Sequence, residues 1–75
     1  MKEYLEYISV DPEIRFGKSC IRGTRISVGD ILGWLASDRS YEEILNDFPL
    51  LKVEHIKAAL SYAADREALV NVVVR

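Results

Sequence analysis

The sequence predicts a mainly α domain: a trihelical bundle of helix-turn-helix layout behind a small N-terminal β-ribbon. Three observations predict it. Apolar residues recur at helical spacing in three separate stretches after residue 27. Serine stands just ahead of two of those stretches, with an acidic residue three positions on. Before residue 27 the chain is instead rich in β-formers and punctuated by glycine.

Taken in order, residues 4–10 (Tyr-Leu-Glu-Tyr-Ile-Ser-Val) predict a short strand. Asp11-Pro12 opens a turn. Residues 19–22 and 25–28 predict two further extended pieces around Gly23-Thr24. Gly17 and Gly23 are free to take the positive φ that tight turns require. With Thr24 they form the structural turns of an arm over residues 1–27.

Ser27 and Asp30 have the spacing of a capping box, and Val28, Ile31, Leu32 and Leu35 follow at helical spacing, flanked by Trp34. This first helix is expected over residues 28–37. Ser40 and Glu43 make a second box ahead of Tyr41, Ile44, Leu45 and Phe48. Pro49 ends that helix, because the residue before a proline is pushed out of helical geometry. Val53, Ile56, Leu60, Ala63 and Ala64 form a third stripe, with Glu54, Lys57, Ser61 and Asp65 on its polar side. Helix formers continue through Ala68, so the bundle spans residues 28–69. The β-branched run Val70-Asn71-Val72-Val73-Val74 predicts a terminal strand or tail over 70–75.

At 75 residues the chain is one domain. Domains this small often lean on disulfides, metals or self-association. Cys20 is the only cysteine and His55 the only histidine, so a disulfide within the chain is excluded and a four-ligand zinc site is not expected. Self-association remains, and a homodimer is expected, built by pairing residues 4–10 or the terminal valines across two chains. No secretion signal and no transmembrane stretch is visible; with a lone cysteine, this predicts a cytoplasmic protein and no membrane partner.

Net charge is −2, which does not advertise nucleic-acid binding. Its distribution is more informative. Arg15, Lys18, Arg22 and Arg25 lie in one stretch without an acid. Such a loop can contact phosphates, or its arginines can pair with the domain's own carboxylates. No constellation for acid–base, nucleophilic or metal chemistry appears, so a non-catalytic protein without cofactor is expected. Phe16-Gly17-Lys18-Ser19 has the ending of a phosphate-binding loop but lacks the first glycine at its spacing. Cys20 reads as a small buried apolar residue.

A short second helix, a tight break and a longer third helix is the helix-turn-helix layout, in which the third helix would enter the major groove. Its candidate surface is Glu54, His55, Lys57, Ala58 and Ser61, with one lysine and no arginine, asparagine or glutamine to read base edges. Trihelical bundles also serve as protein-binding units.

Several runs resemble one family. They are Asp11-Pro12-Glu13-Ile14, Phe16-Gly17-Lys18, Ile21-Arg22-Gly23-Thr24-Arg25-Ile26, Ile31-Leu32, Leu35-Ala36, Glu43-Ile44-Leu45, Asp47-Phe48-Pro49-Leu50, and Ile56 with Ala58-Ala59-Leu60. Together with Tyr62-Ala63-Ala64 they resemble the signature of the domain of unknown function 433 (DUF433) family, from about Tyr7 to Ala64. The resemblance implies a homeodomain-like trihelical fold and a prokaryotic, cytoplasmic protein. It also implies VapB-type antitoxin behaviour: a dimer that binds promoter DNA and neutralises a PIN-domain-like ribonuclease toxin. On that reading Lys18, Arg22, Arg25, Lys52 and Lys57 contact phosphates, while Ser61 and His55 face bases. The alternative is a protein-interaction or homodimerisation module with no DNA role.

Three positions depart from the family pattern. Ser19 stands where proline is common, Asp38 near the usual glycine after the first helix, and Lys52 where threonine usually caps the third. Lysine accepts no hydrogen bond, so the loss of that cap is expected to cost about 0.5–2 kcal/mol.

Overall fold

The computed structural model describes residues 3–70. A 3-10 helix over Glu3–Glu6 leads into strand β1 (Ile8–Val10), which pairs antiparallel with β2 (Ser19–Ile21). Three helices follow: α1 (Val28–Ala36), α2 (Tyr41–Asp47) and α3 (Val53–Val70). The protein is thus mainly helical, with three helices and a two-stranded antiparallel sheet.

The helix boundaries follow from local chemistry. Ser27 and Ser40 each cap a helix reciprocally: the serine hydroxyl accepts the N3 amide, and the N3 carboxylate of Asp30 or Glu43 accepts the serine's own amide. At the end of α1, Asp38 takes φ +68 where glycine would be expected. The Arg39 amide then donates to the Trp34 carbonyl and the Asp38 amide to Leu35, closing a Schellman turn. Aspartate tolerates this left-handed position better than most residues. Between α2 and α3 the Leu51 amide donates to the Phe48 carbonyl, so the break at Pro49 is a compact turn.

The core is built around isoleucine. Ile21, Ile31, Ile44 and Ile56 are fully enclosed, one from β2 and one from each helix, with Ile8, Val28, Leu51, Ala58 and Ala59 around them. Cys20 is buried beside them as a free thiol. Trp34 of α1 stacks on Phe48 at 4.6 Å between ring centroids, tying α1 to the end of α2.

The structure differs from the sequence expectation at two places in and beside the arm and at one place after α3. Residues 4–7 are not strand. Tyr4–Glu6 lie in the 3-10 helix, and the Tyr7 amide closes a turn on the Tyr4 carbonyl. The reason is tertiary: the Tyr4 ring meets Tyr62 edge-on and its hydroxyl donates to Asp65 of α3, which pulls the backbone out of the sheet. Residues 25–28 supply only one isolated bridge, between Cys20 and Ser27, because α1 begins at Val28. Val70 closes α3 rather than opening a strand, and residues 71–75 of the expected tail lie outside the described residues.

Candidate functional site

The expected nucleic-acid surface was the third helix together with the basic loop. The two regions turn out differently. One side of α3 is roofed by the start of the chain. Tyr4 packs on Tyr62, and Tyr7 meets the His55 ring edge-on at 5.3 Å. His55 is also engaged at Nδ1, which accepts the Lys52 amide at 2.8 Å. His55 occupies N3 of α3 and Lys52 its N-cap, so histidine supplies the half of a capping box that reaches back, although Lys52 offers no acceptor for the other half. His55 is therefore a structural residue held under Tyr7, and Ala58 is buried beside it. Glu54, Lys57 and Ser61 line a shallow cleft of about 200 Å³ along this roof, with Tyr4 and Tyr7 as its far wall.

Ile56 and Ala59 turn into the core, and a further side of α3 faces outward. Val53, Lys57, Leu60 and Ala64 are spaced to lie on one side of a helix, and all four are exposed. Leu50, just ahead of the helix, is 73% exposed. This face is apolar with a single cation, which is the reverse of a phosphate-binding surface. Val53, Leu60 and Ala64 were read as one apolar stripe with Ile56 because their spacing is that of core positions, and the structure leaves these three exposed.

The basic loop is largely committed to the fold. Arg22 donates from Nε to the Glu6 carbonyl at 3.1 Å and from Nη2 to those of Leu5 at 2.9 Å and Ile8 at 2.8 Å. Two of these carbonyls end the 3-10 helix and one belongs to β1, so a single guanidinium closes the arm. Arg15 bonds the Arg25 carbonyl and the Asp30 carboxylate. Asp30 is thus paired with Arg15, not with Arg25. Partial burial pushes the Asp30 carboxyl up, but the Ser27 amide and the Arg15 guanidinium outweigh it and hold the group below its ordinary value. Thr24 organises the turn before α1: its hydroxyl donates to the Ile21 carbonyl and accepts the Ile26 amide. Gly23 takes φ +82 at that turn.

Of the seven residues proposed for DNA, Lys18, Arg25, Lys52 and Lys57 keep exposed side chains with no carboxylate partner among the described residues, and Ser61 is exposed. Arg22 and His55 are held by backbone groups. The remaining cations are dispersed over the loop, the α3 N-terminus and the α3 face, and do not converge on one spot.

The loop between the strands holds a feature that periodicity could not reveal. Arg15, Phe16 and Gly17 take φ +52, +59 and +82 in succession. Two non-glycine residues in the left-handed region store strain of order 1–3 kcal/mol each. Phe16 is fully exposed at the crest. Next to it, across Lys18, an open cavity of about 690 Å³ lies between β2, the first turn of α1 and the C-terminal part of α3. Its floor includes Val28, Leu32 and Ala63, and the Ser19 and Tyr62 hydroxyls share a 2.6 Å hydrogen bond at one side. Among the described residues no three metal-ligating side chains cluster, and no helix is long and apolar enough to cross a membrane.

Comparison with known proteins agrees with this architecture. Residues 8–63 match the family described as "Protein of unknown function (DUF433)". Over 58 residues the chain is 36% identical to an uncharacterised protein of Sinorhizobium fredii, covering 77% of this chain and 26% of that protein. The crystal structure of a DUF433 member protein from Anabaena variabilis superposes with a TM-score of 0.78 at 26% identity, covering 87% of this chain and 64% of that one. The chain thus spans about a quarter of the first relative's length and under two thirds of the second's.

Proposed function

The chain belongs to the DUF433 family, and we propose that it is a non-catalytic binding module whose outward α3 face docks a protein partner. One observation carries the reading: the helix that a helix-turn-helix protein would offer to DNA presents Val53, Leu60 and Ala64, with Leu50 beside its start, while its histidine is turned under Tyr7. An apolar exposed stripe with a polar margin suits a protein surface, whereas base reading needs donors and acceptors aimed outward. The experiment is site-specific photo-crosslinking in the native cell from position 60, with position 42 on α2 as control. A discrete protein adduct from position 60, lost in Val53→Glu and absent from position 42, supports the proposal. Equal labelling from both positions contradicts it.

A second reading is favoured by Lys18, Arg25, Lys52 and Lys57, which have no carboxylate partner among the described residues. In it the α2–turn–α3 segment is a homeodomain-like helix-turn-helix, and the protein is a VapB-type antitoxin. Lys18, Arg25, Lys52 and Lys57 then bind promoter phosphates, and a PIN-like nuclease toxin is the protein partner. This reading requires duplex binding that weakens steeply with salt, each cation contributing about one unit of slope.

A further inference from the structure

We infer that this chain forms a two-fold homodimer in which Phe16 of each copy inserts into the cavity beside Lys18 of the other. The inference goes beyond the docking role of α3 and rests on different residues.

Phe16 is the starting point. A fully exposed phenylalanine on a hairpin loop has no role within its own fold. Yet the fold spends backbone strain to hold it out: three successive residues are left-handed, and two bonds from Arg15, to the Arg25 carbonyl and to Asp30, fix the base of the loop. The Gly17 amide donates to Ile14 and the Lys18 amide to Arg15, closing the turn on both sides of the ring. A braced aromatic loses little conformational freedom on docking, which is what makes aromatic anchors effective.

The receiving site is on the same molecule. The cavity is lined by Lys18, two residues from Phe16, and by Val28, Leu32, Tyr62, Ala63 and Arg66. Arg66 already lies over the Tyr62 ring, at 5.7 Å from the centroid. A phenyl ring entering there meets aliphatic, aromatic and guanidinium surface, all favourable for it. A dry cavity of about 150 Å³ accommodates benzene, so about 690 Å³ has room for the ring with part of its loop.

Two properties select a second copy as the occupant. Knob and hole are neighbours on one face, as a two-fold axis requires if each copy is to give and receive at once. The cavity rim also balances Lys18 and Arg66 against Asp30 and Glu67. Two copies of that rim meet without net repulsion, and each cation can approach a carboxylate of its mate. The alternative of joining β1 strands is poorer, since Arg22 occupies the Ile8 carbonyl and residues 4–6 have left the sheet.

The test is sedimentation equilibrium of the wild-type chain, Phe16→Ala, Ala63→Trp, and an equimolar mixture of the two variants. The wild type is expected to dimerise at tens of micromolar. Phe16→Ala should weaken association by about 30-fold or more, the scale of an aromatic hot spot, with an unchanged circular dichroism melt at dilutions where both proteins are monomers. Ala63→Trp fills the hole and should also be monomeric. The mixture should associate more tightly than either variant alone, because an intact knob from one meets an intact hole in the other. A monomeric wild type at about 100 µM, a Phe16→Ala variant that dimerises as well as wild type, or a mixture no better than its parts would each overturn the inference. Should Ala63→Trp fail to fold, the comparison of wild type with Phe16→Ala decides alone.

Discussion

The helical bundle and the N-terminal arm are stabilised in different ways. In the bundle, each helix carries its own cap within three residues and contributes one isoleucine to a common core. In the arm, single polar side chains span long sequence distances: Arg22 holds three carbonyls 14–17 residues away, Ser19 meets Tyr62, and Tyr4 reaches Asp65 across 61 positions. The bundle is therefore stabilised by many small, redundant contributions, and the arm by a few that have no substitute.

The largest expected effect tests the bundle's half of that contrast. Ile44→Ala empties a fully enclosed site between α2 and the core and should destabilise by about 2–5 kcal/mol. Chemical denaturation should show it as a shift of midpoint at constant slope. Next comes Arg22→Ala. Its bonds are charge-assisted but lie near solvent, so a loss of about 1–2 kcal/mol is expected. Hydrogen exchange should localise that loss to residues 4–10 and leave α2 protected; uniform loss of protection would mean the arm and bundle are one cooperative unit. Gly23→Val should cost more than about 1 kcal/mol in a thermal melt, from backbone strain alone, because nothing lies within 4 Å of the new Cβ.

The smallest effects concern protonation and differ in sign. Asp30 has a lowered pKa in the folded state, so its contribution is present above the unfolded value of 3.8 and is lost as pH falls through the lower folded value. Tyr4 is raised, first by its hydrogen bond to Asp65 and then by burial. Its contribution is present below 10.0 and lost as pH rises through the folded value. Acid should therefore loosen the Arg15–Asp30 brace, and alkali the Tyr4 roof over α3, which near-ultraviolet circular dichroism of the tyrosines resolves. Tyr4→Phe should remove the alkaline component and leave the acid one.

The same contrast explains what was legible in the sequence. The helices were readable because period and caps are local: Ser27 with Asp30 and Ser40 with Glu43 fixed two starts to the residue. The arm was not. Tyr4–Tyr7 have β-forming side chains, but the contacts of Tyr4 with Tyr62 and Asp65 decide their backbone, and no local pattern encodes a partner about sixty residues away. For the same reason the partners of Arg22 and His55 were not legible: the sequence offered phosphates or carboxylates for the arginine and a base for the histidine, whereas the actual partners, the carbonyls of Leu5, Glu6 and Ile8 and the Lys52 amide, carry no residue-specific signal. Phe16 offered no signal either, since its exposure follows from the left-handed backbone of residues 15–17, which no apolar period marks.

The central claim is that the arm withdraws Arg22 and His55 and leaves α3 with a face suited to protein. The most direct measurement is a titration of the wild-type chain onto its own upstream duplex and a scrambled duplex, from about 50 to 200 mM salt, where phosphate-driven binding changes most. The expected result is weak attraction through Lys18, Arg25, Lys52 and Lys57 that is equal for both duplexes and gone at the upper salt. Saturable binding that prefers the upstream duplex and is lost in Lys57→Ala or Ser61→Ala would contradict the account and make α3 a base-reading helix.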